Sequence, residues 1–363
     1  MSPRNFATLC VVTVFAVVIA GWIVASRPVI EASDFDGTLA FPGLVESLND
    51  LKTIKIRHKD GVFTLQSTGN GWVFMERDSF PVQDDKIGEL VIKLSRMEKI
   101  EPKTKLAERY DRLDLIHPED NEDTRAKAVE FLNADGETVA GLLVGKRKFT
   151  LGSSEGGTYV LFPDDTQAWL VTGELNPGAR ARDWLVREIS DIKDKDIKRV
   201  TVTHPDGEVL AISKASAEDT NYAVEDIPAG MEMLRDTIAN DSGRVLSNLL
   251  LDDVKTRADV EFSEDKTITA IFEGFEGFTV TVDLIEDGDQ NWVRFQGTAP
   301  GSNSPAASAE GDGDGAEAKD WNAIIADLNA KSDGWVFQLP GYEVSGIKKR
   351  MADMVRETEV GGG

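Results

Sequence analysis

Asp34 and Asp36, in the run DFDGTL, are the two residues of this chain best spaced for covalent catalysis. In phosphoryl transfer, the first carboxylate of such a pair attacks phosphorus. The second protonates the leaving group, and both face a magnesium ion. That chemistry requires the pair to end a buried apolar strand. Here the preceding residues are RPVIEAS, which are partly polar and follow closely on an apolar N-terminal run. Of the later acidic pairs that could complete a magnesium site, LLLDD (Leu249–Asp253) and IEDGDQN (Ile285–Asn291), the second falls between two expected strands. The context therefore predicts an exposed turn at Asp34–Leu39 and no nucleophile.

Other chemistries meet similar obstacles. DGDG (Asp312–Gly315) and DGDQN (Asp287–Asn291) carry oxygen ligands, but an EF-hand would place Gly where Glu317 or Trp292 stands. GSSEGGTY (Gly152–Tyr159) lacks the Gly-Lys-Ser/Thr ending of a phosphate loop and reads as a hairpin loop. No serine nucleophile is expected, because histidine is too scarce to serve one. The run YDRLDLIHPEDNED gathers carboxylates beside His117, and Pro118 marks it as a solvated loop. Cys10 is the only cysteine, and it lies in the apolar run, so the body has no disulfide and no thiolate metal site. The only histidines are His58, His117 and His204, too few for zinc or histidine-based proton transfer. No catalytic, cofactor-binding or metal-binding residue is expected.

The formal charge is −24. Residues 1–29 hold Arg4 and Arg27 and no acid, so the remainder is more acidic still. Such a body is a poor partner for nucleic acid or for an anionic lipid surface.

The N-terminus reads as an address. Phe6 to Ala25 is 20 residues without a charge, running through Val14, Val18 and Trp22. As a helix it would be about 30 Å long, enough to span a bilayer core. Arg4 and the terminal amine precede it, which favours a cytoplasmic start and an exported body. The rival reading is a cleaved signal peptide, cut at Val24–Ser26. The run is longer than a usual signal core, and an anchor is preferred. The expected location is a bacterial inner membrane, spanned once, with the body in the periplasm.

The body reads as α+β and as written twice. Residues 44–75 and 190–225 both alternate into a strand (Ile54 and Ile56; Val200 and Val202) and reach His-x-Asp-Gly, a hairpin signal. Ile87, Leu90, Val91, Leu94 and Met97 then predict an amphipathic helix; Met231, Leu234 and Ile238 predict a shorter counterpart. Antiparallel meanders follow each. The expected organisation is an anchor over 1–29, a stalk over 30–43, repeats over 44–188 and 189–345, and a C-terminal helix and tail over 346–363. Residues 297–320, rich in Gly, Ser, Ala and acid, predict a mobile loop inside the second repeat. Trp72, Trp169, Trp292 and Trp335 are expected in the core, and Trp184 at the linker between repeats.

These residues resemble a known family. FPGL (Phe41, Pro42, Gly43, Leu44) follows the apolar run, and Gly71–Trp72 closes a hairpin. Tyr110, Leu113, Leu115 and Pro118 form a Tyr-x-x-Leu-x-Leu…Pro signature. Gly145 in VGKR, Tyr159, Trp169, and Asp183–Trp184 in DWL complete the set. Spread over residues 41–260, the pattern resembles domain-of-unknown-function family 4340 in its membrane-anchored proteobacterial form. The resemblance implies no assigned activity. It implies a non-enzymatic accessory role beside a membrane permease of the ABC export type and a gliding-motility-type auxiliary protein. The alternatives are a haloacid-dehalogenase-like phosphohydrolase using Asp34 and Asp36, and a binder of envelope glycan.

Overall fold

The structure, a computed structural model, describes residues 37–149, 156–301 and 319–358. The apolar run with Phe6, Val14, Val18, Trp22 and Ala25, the pair Asp34 and Asp36, and most of the acidic loop lie outside the described residues. Among the described residues no helix is long and apolar enough to cross a membrane.

The chain is mixed α+β and is dominated by two antiparallel sheets. The first has ten strands: β1 (Thr38–Leu39), β2 (Leu51–His58), β3 (Gly61–Ser67), β4 (Trp72–Phe74), β5 (Phe80–Pro81), β6 (Glu98–Pro102), β7 (Lys127–Asn133), β8 (Thr138–Lys148), β9 (Gly157–Leu161) and β10 (Ala168–Thr172). Their order across the sheet is β1-β6-β10-β9-β8-β7-β2-β3-β4-β5. Thr38 and Leu39, inside the expected stalk, pair with Lys99 and Glu98 at its edge. Helix α1 (Asp84–Ser95) lies between β5 and β6. It buries Ile87, Leu90, Val91 and Leu94, residues three or four apart, in one core with Ile54, Ile56 and Leu65.

A short strand β11 (Glu188–Ser190) leads to the second half. There follow β12 (Ile197–Thr203), β13 (Val209–Ser213), β14 (Ala223–Val224), β15 (Met231–Met233), β16 (Leu249–Leu250), β17 (Asp253–Thr256), β18 (Ile268–Gly274), β19 (Thr279–Asp287), β20 (Gln290–Thr298), β21 (Trp335–Leu339) and β22 (Val355–Glu357). Eight of these form a sheet ordered β14-β13-β12-β18-β19-β20-β21-β17. The alternation read from the sequence is the cause of both hairpins: Ile54 and Ile56 are fully buried in β2, as is Val200 in β12, with Val202 nearly so.

The second amphipathic helix expected from Met231, Leu234 and Ile238 does not form. Met231–Met233 is strand β15, Leu234 is exposed, and only a single turn, α2 (Asn240–Gly243), follows. The backbone of β15 is instead satisfied by the C-terminus, where Met231, Glu232 and Met233 pair with Glu357, Arg356 and Val355. Within the expected C-terminal helix and tail, residues 351–354 form the one-turn α5 (Met351–Met354), and residues 355–357, which follow it, are a strand. The apolar face of the second sheet is covered by α3 (Trp321–Ser332) and α4 (Gly341–Lys348), which follow the acidic loop. Trp321 stacks on Phe278 with ring centroids 4.0 Å apart.

The two sheets share one continuous core. Phe80 of the first meets Trp335 of the second edge-on at 5.0 Å. Arg77 holds both oxygens of Asp253, at 2.5 and 2.7 Å.

Candidate binding cleft

The sequence between β10 and β11 doubles back over α1. Gln83, just before the helix, donates its backbone N–H to the Trp184 carbonyl (2.8 Å) and its side-chain amide to the Leu185 carbonyl (2.6 Å). The turn that permits this is specific. Asp183 accepts from the Arg180 N–H, and the Trp184 indole donates to the Gly178 carbonyl at 3.1 Å. A Cβ on Gly178 would lie 2.4 Å from the Cβ of Asp183, so only glycine fits.

Between this strap and α1 runs a cleft made of two adjoining cavities. One, of about 410 Å³, is lined by Lys93, Arg96, Arg147, Lys148, Phe149 and Glu174, over a floor that includes Met97 and Leu175. The other, of about 510 Å³, adds Lys86, Glu89, Arg180, Arg182, Asp183 and Arg187. They meet at Lys93, Glu174 and Leu175. Eight cationic side chains face three carboxylates there, in a chain whose net charge is −24.

The cations differ in how they are held. Glu89 takes Lys93 at 2.8 Å and Lys86 at 3.6 Å, and the bond from Lys93 holds its carboxyl below the usual range. Arg147 bonds Glu174, and its guanidinium lies 4.7 Å from the Phe149 ring. Arg182 and Arg187 both reach Asp252, which precedes β17 of the second sheet, at 2.9 and 3.2 Å. That hydrogen bond to Asp252 pushes the Arg182 pKa up. Among the described residues Arg96 and Lys148 have no ion-pair partner. A row of guanidinium and ammonium donors beside an apolar floor binds anions such as carboxylates and phosphates.

Most of the residues that carried the family resemblance brace the first sheet and do not line this cleft. Tyr110, Leu113 and Leu115 clamp a satellite core with Tyr159, and the Tyr110 hydroxyl donates to the Thr166 carbonyl at 2.5 Å. A Cβ on Gly145 would lie 2.2 Å from the Leu113 carbonyl oxygen, which is why that position is glycine. Pro118 is buried in the same loop. A cavity of about 620 Å³ beside Tyr110 and Leu115 opens toward His117 and Asp120. Phe41 packs edge-on against Phe162 at 5.4 Å, Pro42 and Gly43 make the turn after it, and Leu44 is buried. Trp72, after Gly71, donates its N–H to Asp84 at the start of α1 (3.0 Å). Trp169 is buried, with Lys99 4.7 Å from its ring. Asp183 and Trp184 alone reach the cleft.

The cleft cations escaped the motif reading of the sequence. A signal existed: KRKF (Lys146–Phe149) and ARARDWLVR (Ala179–Arg187) are among the cation-dense windows of an acidic chain, and a local charge count marks both. Among the described residues no three His, Cys, Asp or Glu side chains gather as metal ligands.

Comparison with known proteins agrees with the resemblance. No curated protein and no solved structure matches the chain. The family model described as "Domain of unknown function (DUF4340)" matches residues 72–266, from strand β4 to the start of the meander in the second sheet. With more than half of its length matched, the chain belongs to the DUF4340 family.

Proposed function

We propose that this chain is a non-enzymatic accessory subunit of an envelope transport or assembly complex, anchored in the bacterial inner membrane by Phe6–Ala25 with its body in the periplasm. It works by binding, beside a membrane permease of the ABC type. The observation that carries this reading is the cleft along α1, a concentrated basic surface on an acidic body, which selects anionic groups by charge. All strand pairs among the described residues are antiparallel, whereas a phosphohydrolase built on Asp34 and Asp36 requires a doubly wound parallel sheet.

The body is further read as a tandem duplication over 44–188 and 189–345. Its support is the shared order of connections: β4-β3-β2-β7-β8-β9-β10 in one sheet runs as β14-β13-β12-β18-β19-β20-β21 in the other.

The test is a mild-detergent pull-down of the tagged full chain from its host, with partners identified by mass spectrometry. A permease and its ATPase should be enriched. Arg96→Glu with Arg180→Glu should lower their recovery at least about tenfold. A preparation without partners would sink the transporter role, and partners indifferent to the reversals would move the contact away from the cleft.

A further inference from the structure

At the end of the cleft formed by the 410 Å³ cavity, the apolar groups are not all on the floor. Met97 and Leu175 are buried beneath it, but Phe149 is 74% exposed and Ile92 50% exposed on its rim. Both stand among cations: Lys93 and Arg96 beside Ile92 on α1, Arg147 and Lys148 beside Phe149. A groove for a peptide hides its apolar residues at the bottom. A surface that meets a bilayer presents them at the tips, between cations that stay at headgroup level. Arg147, packed on the Phe149 ring, keeps charge and aromatic group together.

The length of chain outside the structure points the same way. Eleven residues separate Ala25, the end of the apolar run, from Gly37, where the described chain begins. Fully extended, that stretch spans roughly 40 Å. It delivers the chain to β1, and the next residue, Ala40, donates its N–H to Met97 in the floor of this cavity at 2.7 Å. The patch is thus tethered within about one domain diameter of the membrane that the apolar run would span. The acidity of the whole body does not forbid contact, because charges more than about 10 Å away are screened at physiological salt, and at the surface the local cations dominate.

We infer that the rim formed by Ile92, Lys93, Arg96, Arg147, Lys148 and Phe149 docks on anionic phospholipid headgroups of the membrane that anchors the chain, seating Phe149 and Ile92 at the headgroup boundary. The inference rests on the anchor reading above and names the surface the cleft engages.

The test uses the full chain with Cys10→Ser and Phe149→Cys, the new thiol carrying an environment-sensitive fluorophore. It is placed in nanodiscs of phosphatidylcholine alone or with about one-third phosphatidylglycerol, both containing a headgroup spin label. Quenching at position 149 should be at least about threefold stronger with phosphatidylglycerol, and Arg96→Glu with Lys148→Glu should abolish the difference. The same label at Tyr342, 74% exposed on α4, should stay bright in both. Equal quenching in the two discs, or none at 149, overturns the proposal. A chain that does not enter nanodiscs defeats the anchor reading instead. The labelled chain is then added to preformed phosphatidylglycerol vesicles, where quenching that needs Arg96 and Lys148 upholds the lipid surface and its absence ends it. If the reversals abolish capture of a host protein while quenching at 149 is unchanged, the cleft holds an acidic protein segment and the lipid surface is wrong.

Discussion

The two sheets solve one burial problem with different parts. In the first, the helix that fills the core, α1, lies within the sheet's own connections, between β5 and β6. In the second, the corresponding stretch of chain yields only β15 and a single turn, and the cover comes from α3 and α4, later in the sequence. An apolar sheet face must be covered, but by which connection is open. The exchange also changes the charge beside the helix. The cleft along α1 carries eight cations against three carboxylates. The cavity between α3 and β20, about 570 Å³, has Arg257 and Arg294 against Asp283 and Asp333, which balance. The strand order is common to both halves, whereas the cation excess marks the cleft along α1 and not the cavity beside α3.

If α3 has taken over the role of α1, removing its anchor should cost the most. Trp321→Ala is expected to destabilise the protein by about 3–5 kcal/mol, and Leu94→Ala in α1 by about 2–5 kcal/mol, both read by urea unfolding. A Trp321→Ala variant as stable as the parent would mean that α3 is an ornament on the second sheet.

The joint between the halves comes next. Asp253→Ala strands the Arg77 guanidinium, which is 28% exposed, and should cost about 1–3 kcal/mol. Splitting of one unfolding transition into two would show that this pair couples the sheets, whereas a single transition at unchanged midpoint would show that the shared core suffices.

The two hairpin histidines sharpen the contrast further. Both are buried, but His204 donates from Nε2 to the Lys349 carbonyl at 3.1 Å, while the Nε2 of His58 has no partner among the described residues. His204→Phe should cost about 1 kcal/mol, and His58→Phe should be neutral or stabilising. Burial lowers the pKa of His58 below its ordinary 6.5. A base depressed on folding favours the native state above its unfolded pKa, and this contribution is lost as pH falls through about 6.5 toward the folded value. Melting between pH 7.5 and about 5 should therefore show an acid-side loss that His58→Phe diminishes. An unchanged pH profile would contradict that assignment.

The smallest effect lies on the exposed face of α1. Glu89→Gln removes a solvent-exposed partner of Lys93 and should cost no more than about 0.5 kcal/mol, while making the cleft more basic. Recovery of an anionic partner should rise slightly; a fall would show that Glu89 itself touches the partner.

Local pattern was enough to specify both hairpins, the strands of the meanders, α1 and the α+β class. The alternation of Ile54 with Ile56 and of Val200 with Val202, the His-x-Asp-Gly turns, and the spacing from Ile87 to Leu94 act within a few residues of one another, so propensity and periodicity already determine them. The composition likewise settled the shortage of thiols and imidazoles. The fate of Met231–Met233 was decided elsewhere. Its helical stripe is short, and the unpaired backbone of residues 355–357, more than 120 positions away, offered hydrogen bonds that outweigh a weak local preference. The cleft is also a tertiary product. Arg96, Lys148 and Arg180 stand far apart in the chain: the sheet sets the end of β8 beside the end of α1, and the strap that Gly178 lets fold back onto Gln83 adds Arg180 in the adjoining cavity. Net charge is a sum over the sequence, whereas the field at a surface depends on where the backbone puts each charge, and that the fold alone decides.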